Sequence, residues 1–210
     1  MHKCLSCGGD WNGSKFCPHC GRNLESFTYT APPADPGSAR AALERFEFRE
    51  LPSGGYRIVG LNVLYEDAGS TELIVPDSVE RIDEFALSDR KELTGLRLGK
   101  GLKTIGMGAF QNCKKIRSIA FGDSLQTIGK DAFSWCLALE RLTLPDSLQT
   151  VEDRAFDHCL SLRALTFGRG VRQIGSNAFR GCEALREVTL PREARYERDA
   201  FPEGTKIKSV

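Results

Sequence analysis

Cys4, Cys7, Cys17 and Cys20 form two C-x-x-C-G knuckles near the start of the chain, Cys4-Leu5-Ser6-Cys7-Gly8 and Cys17-Pro18-His19-Cys20-Gly21, nine residues apart. A two-residue spacer lets both thiolates of a knuckle face one tetrahedral ion, and the glycine that follows can take positive φ, turning backbone N–H groups toward sulfur. Four such sulfurs close a structural zinc site, so one Zn is the expected cofactor; rubredoxin-type iron fits the same donors. His19 sits between two ligands of one knuckle and reads as a solvent-facing spacer. Residues 1–24 hold only Trp11 and Phe16 as a small apolar patch, too little to fold on, which makes metal the ordering agent. Neither C-x-x-C follows a strand in a βαβ pattern, which argues against a thioredoxin-like redox pair.

Elsewhere the reactive side chains do not assemble into a catalyst. Asp157-His158-Cys159 sets a thiol beside a base, but neighbours on a helical turn point about 100° apart. The repeat equivalents of His158 are Asn112, Trp135 and Gly181, so that position reads as variable surface. Gly101-x4-Gly106 begins like a phosphate loop, yet Met107 stands where Lys is required. The chain has three histidines and no H-E-x-x-H, G-x-S-x-G or D-x-D-x-D-G run. The expectation is a protein that is not an enzyme, with no catalytic residues.

The elements that carry these residues follow from a period. Cys113, Cys136, Cys159 and Cys182 recur every 23 residues, and the units around them align throughout, as in Leu142-Thr143-Leu144-Pro145-Asp146-Ser147-Leu148 against Leu165-Thr166-Phe167-Gly168-Arg169-Gly170-Val171. An earlier copy begins at Leu73, and a last one at Val188 is one residue short before Tyr196. Self-similarity at this spacing signals a solenoid. Leu142-x-Leu144 alternates as a half-buried strand, Pro145-Asp146-Ser147 turns the chain, and Leu148-x-x-Val151 continues as a second short extended piece. Ala155, Phe156, Cys159 and Leu162 then share one face of a helical turn or two. One unit buries too little to fold alone, so stacked copies must supply a phenylalanine ladder through Phe110, Phe133, Phe156 and Phe179. The repeat cysteines, each three residues after a core Phe, read as buried thiols in that inner face.

The chain has 210 residues, 40% hydrophobic and 27% charged, with a formal charge of +1, a balance that implies no polyanion-coating arm. Glu25–Arg40 holds Pro32, Pro33, Pro36 and Gly37 and reads as a flexible linker. The expected organisation is a zinc ribbon at 1–24, the linker at 25–40, a solenoid cap at 41–70 with a hairpin turned at Ser53-Gly54-Gly55, and a solenoid with its C-terminal cap at 71–210. The start Met-His-Lys-Cys lacks an apolar export core, and no run approaches the roughly 18 apolar residues of a membrane span, so a cytoplasmic address with reduced thiols is expected.

The frame L-x-L-P-x-S-L-x-x-I-x-x-x-A-F-x-x-C-x-x-L resembles the BspA-like type of leucine-rich repeat, over about 140 residues from Leu73. The resemblance implies a right-handed leucine-rich-repeat solenoid of α+β class, short strands plus short helical turns, acting as a protein-interaction surface, with a protein as partner and a monomer as the working unit. Residues 1–24 resemble the short zinc ribbons that open bacterial multidomain proteins. If the L-x-L leucines point inward, the middle residues Ile74, Arg97, Ala120, Thr143, Thr166 and Thr189 face outward as one candidate binding row. Two other functions stay open: nucleic-acid or transcription-linked binding through the ribbon, and a surface-exposed adhesin role that the repeat family suggests. Lys3, Lys15 and Arg22 against Asp10, with a four-thiolate zinc adding negative charge, leave the ribbon near neutral, which argues against nucleic acid.

Overall fold

The computed structural model describes residues 2–3, 10–11, 46–61 and 71–209. The four knuckle cysteines, the linker and residues 62–70 lie outside the described residues. Near the N-terminus β1 (His2–Lys3) pairs antiparallel with β2 (Asp10–Trp11). A second hairpin joins β3 (Phe46–Glu50) to β4 (Tyr56–Leu61), with Leu51 N–H donating to Gly55 O at 2.8 Å and Gly54 at φ 81°.

Thereafter each coil contributes two short strands: β5 (Glu72–Ile74), β6 (Val79–Ile82), β7 (Gly95–Arg97), β8 (Thr104–Ile105), β9 (Ser118–Ala120), β10 (Thr127–Ile128), β11 (Arg141–Thr143), β12 (Thr150–Val151), β13 (Ala164–Thr166), β14 (Gln173–Ile174), β15 (Glu187–Leu190), β16 (Arg195–Tyr196) and β17 (Lys206–Ser209). Strands of successive coils pair in parallel, so Thr104, Thr127, Thr150 and Gln173 lie in register one repeat apart. The shortened last copy keeps register through Gln173↔Arg195. The second strands make one eight-stranded sheet, ordered β16-β14-β12-β10-β8-β6-β4-β3, in which the β3–β4 hairpin covers the N-terminal edge. The first strands make two sheets, β5-β7-β9 and β11-β13-β15-β17. The result is a right-handed β-solenoid.

The expected helical turns do not form; no helix occurs among the described residues. The apolar spacing of Ala155, Phe156 and Cys159 is right for a helix face, but Arg154 and His158 take φ of 55° and 57°, and Asp131 with Trp135 repeats this one coil earlier. Two left-handed residues four apart break any run of i→i−4 bonds. Backbone N–H groups go instead to the next coil: Phe110 to Ala132 O, Phe133 to Ala155 O and Phe156 to Ala178 O, at 2.7–2.8 Å. The corner is a third inter-coil ladder.

The division of the first-strand sheet has a steric origin. At the corner after the strand a Cβ on Gly122 would lie 2.3 Å from Gly99 O, and one on Gly168 would lie 2.3 Å from Pro145 O, so coils approach closely only where glycine follows. Pro145 and Pro191 occupy the same repeat position. A ring there would meet that carbonyl, so the first strand of a coil that carries proline pairs less fully with the one before. Accordingly β9 and β11 share no ladder, and β13 meets β15 through Thr166↔Thr189 alone.

Packing then closes the interior. Phe110, Phe133, Phe156 and Phe179 are fully buried and stack at centroid distances of 5.1–5.2 Å, and Phe201 continues the column at 5.3 Å. Phe121 and Phe167 meet the column edge-on at Phe133 and Phe179. Aromatic pairs of this geometry add about 0.5–1.5 kcal/mol each beyond their burial. Phe156→Ala opens a cavity between two stacked rings and is expected to cost about 3–5 kcal/mol in urea denaturation. Phe201→Ala, at the end of the column, should cost less, and a Phe156→Ala effect below about 1 kcal/mol would show that the ladder is not the core.

Candidate functional site

Strand alternation buries Leu73, Leu96, Leu142, Leu165 and Val188 and turns the next side chain outward. Ile74, Arg97, Ala120, Thr143 and Thr166 are exposed, and Thr189 is half-buried. Ile74, Arg97 and Ala120 occupy matching positions on β5, β7 and β9, and Thr143, Thr166 and Thr189 occupy matching positions on β11, β13 and β15. The row is therefore two ladders with a seam, where sequence reading expected one continuous face. Lys208 on β17 pairs with Thr189 and extends the row. It escaped the 23-residue alignment because the last coil is shorter, although the alternation Lys206-Ile207-Lys208 was a readable signal.

The corner carries the other polar chemistry. Each repeat thiol points at a main-chain carbonyl of the coil before it: Cys113 Sγ to Leu87 O at 3.3 Å, Cys136 to Phe110 O at 3.5 Å, Cys159 to Phe133 O at 3.4 Å and Cys182 to Phe156 O at 3.2 Å. All four are free, buried thiols. Beside them Asp157, 4% exposed, receives Arg180 Nε and Nη2 at 2.9 Å each, a bidentate clamp. Burial opposes the charge on Asp157, but the Arg180 guanidinium and His158 outweigh it and hold the carboxyl below its ordinary range. Trp135 stacks on His158 at 4.3 Å, with rings 4° from parallel. Sequence reading treated this position as variable surface. The repeat period alone places residues 135 and 158 on adjacent coils, and that was the available clue.

No triad or general base geometry arises from these groups. His158 Nδ1 lies 2.9 Å from Asp157 Oδ1, while the adjacent Cys159 thiol is turned into the core. Among the described residues no group of three or more His, Cys, Asp or Glu is placed to hold a metal ion.

The family model for the BspA type leucine rich repeat region matches residues 57–186 and 103–210, with six copies. The chain belongs to the BspA-type leucine-rich repeat family. No curated protein matches it. Among solved structures, a leucine-rich repeat protein of Treponema pallidum is 24% identical with a TM-score of 0.65, covering 79% of this chain and 84% of its own. A leucine-rich cell surface protein of Faecalibacterium prausnitzii is 22% identical with a TM-score of 0.61, covering 73% and 38%. A leucine-rich repeat protein of Bacteroides ovatus is 28% identical with a TM-score of 0.55, covering 68% and 43%. The chain thus spans less than half the length of the last two.

In this BspA-type solenoid the repeat cysteine is a hydrogen-bonding core residue, and its chemistry is suppressed accordingly. Burial pushes the Cys113 thiol up to about 11 and raises Cys136 and Cys159 well above the ordinary range. Because the fold favours the neutral thiol, this contribution to stability is intact below the unfolded value near about pH 8.5 and is lost as pH rises toward the folded one. Each of these thiols should weaken the fold by about 1.4 kcal/mol per pH unit across that window. Unfolding free energies from urea titrations should be level up to about pH 8.5 and fall above it, and Cys136→Ser should make the fall shallower. An unchanged slope in the variant would remove Cys136 as a source.

Proposed function

We propose that the protein is a non-enzymatic interaction scaffold whose first-strand face takes a protein partner, with a structural zinc ribbon at 1–24 as a separate module. The observation that carries this reading is the face itself. Its outward side chains are held in register by the parallel ladders, with leucines behind them, while the thiols of the repeats are spent on packing. A rigid surface with fixed side-chain spacing suits recognition and lacks the groups that chemistry needs.

For the ribbon, Cys4, Cys7, Cys17 and Cys20 supply four thiolates, the donor set for tetrahedral zinc. The β1–β2 pairing, His2↔Trp11 and Lys3↔Asp10, brings together the two flanks of the first knuckle, as a zinc knuckle on a hairpin requires. A cytoplasmic address accords with eight cysteines used as ligands and as buried thiols. A second reading, a surface-exposed repeat protein, is favoured by the similarity to the F. prausnitzii cell surface protein.

Purified protein should carry one Zn per chain by atomic absorption. After chelation four thiols should become reactive in the native state, with Cys113, Cys136, Cys159 and Cys182 reacting only in urea; no zinc would sink the ribbon. Disulfides throughout would favour the surface reading, and salt-sensitive nucleic-acid affinity lost in Cys17→Ser/Cys20→Ser would favour the nucleic-acid one. Capture of a partner by the full chain should be blocked by Thr166→Arg and not by Thr127→Arg on the second sheet. Equal capture by both variants would place the partner elsewhere.

A further inference from the structure

The net charge of the chain, +1, conceals a strong local imbalance. Across the seven rungs of the first-strand face, the two outward strand positions and the residue before each strand carry seven Lys or Arg against three Glu, with no aromatic residue. Two of those acids are neutralised within the face: Glu140 pairs with Arg163, and Glu187 with Lys208 at 2.7 Å. Arg97, Arg117 and Arg141 are exposed and make no ion pair or side-chain hydrogen bond among the described residues. They stand on three successive rungs, around the small residues Gly95, Ser118 and Ala120.

The seam adds to this. In neighbouring rungs Leu98 N–H donates to Ala120 O and Leu144 N–H to Thr166 O, and likewise Arg117 N–H to Thr94 O and Arg163 N–H to Glu140 O. The corresponding donors between β9 and β11, Phe121 N–H and Glu140 N–H, reach no backbone acceptor among the described residues, as is also true of Phe167 N–H and Arg186 N–H between β13 and β15. Backbone donors left out of the inter-coil ladder therefore lie beside these guanidiniums, and an anion suits both.

We propose that the middle of this face, around the β9/β11 seam, docks an acidic, carboxylate-rich extended segment of a partner protein through Arg97, Arg117 and Arg141. The proposal rests on the reading of the face given above and names the partner's chemistry. In repeat register Arg117 lies one residue before Arg141 and three before Arg97, so the guanidiniums form a diagonal across rungs about 4.8 Å apart, which flexible Glu side chains spaced about 6.8 Å along one edge of an extended peptide can span. A guanidinium binds a carboxylate with two parallel hydrogen bonds, and the small residues between the arginines leave room for a main chain to lie flat. A single-stranded nucleic acid would want aromatic stacking platforms, which these positions of the face lack.

The test uses the full chain and a fluorescein-labelled peptide of alternating Glu and Ser, with a Gln-for-Glu peptide and an oligo-dT strand as comparators, read by anisotropy at low salt. The Glu peptide should bind, and Arg97→Gln/Arg117→Gln/Arg141→Gln should weaken it about tenfold, as expected when three exposed pairs are lost. The triple variant should keep the wild-type urea midpoint, and Lys206→Gln/Lys208→Gln at the far end should bind as wild type. Equal binding of the Gln peptide, tighter binding of oligo-dT through the same arginines, or unchanged affinity in the triple variant would each overturn the proposal. If Thr166→Arg blocks partner capture and the triple variant does not, the interaction face stands and acidic docking falls. If neither blocks capture, both fall.

Discussion

No coil of this protein satisfies its own backbone. The N–H of Phe110 is spent on Ala132 O in the next coil, while its carbonyl receives the Cys136 thiol from that coil. The same exchange repeats at Phe133 and Phe156. A buried amide without a partner costs more than the net worth of an ordinary hydrogen bond, so each coil is stable only when the next is in place. From this mutual dependence follow the fixed register, the left-handed corner residues and the recurrence of cysteine, whose small weak donor fits a crowded interior and reaches a carbonyl.

The ends and the seams are where this dependence is relaxed. At the N-terminus the β3–β4 hairpin takes over the pairing of the second sheet, and at the C-terminus β17 pairs with β15 and leaves four exposed residues at the edge, two of them lysines. Lysine on an open edge discourages further strands from adding. Inside the array, the first-strand sheet breaks at the coil that carries Pro145 and narrows to one pair at the coil that carries Pro191, while the second sheet and the phenylalanine column run through. The solenoid therefore has one continuous side and one segmented side, and Arg97, Arg117 and Arg141 lie on the segmented side.

Much of this was legible in the sequence. The 23-residue period, the L-x-L strand, the second extended segment, the hairpin around Gly54 and the phenylalanine ladder can all be read from spacing, because each depends on which side chains face inward. The corner conformation was not legible in the same way. Ala155, Phe156 and Cys159 present the same apolar spacing whether the chain winds as a helix or alternates left- and right-handed residues. What separates the two is where the N–H groups find acceptors, and those acceptors belong to another coil. The Asp157–Arg180 clamp and the Trp135–His158 stack escaped for a related reason, since each is a contact between neighbouring coils made by residues that repeat analysis treats as variable.

By itself the sequence determined the family, the phase of every repeat and the row of outward residues, because burial in a solenoid is periodic and a period can be read in one dimension. Only the tertiary structure decided that the row is split between Ala120 and Thr143, that Lys208 joins it, and that Arg97 on it, with Arg117 and Arg141 beside it, makes no ion pair among the described residues. Those outcomes depend on how closely one coil approaches the next, a distance set by a carbonyl, a proline ring or a glycine one repeat away.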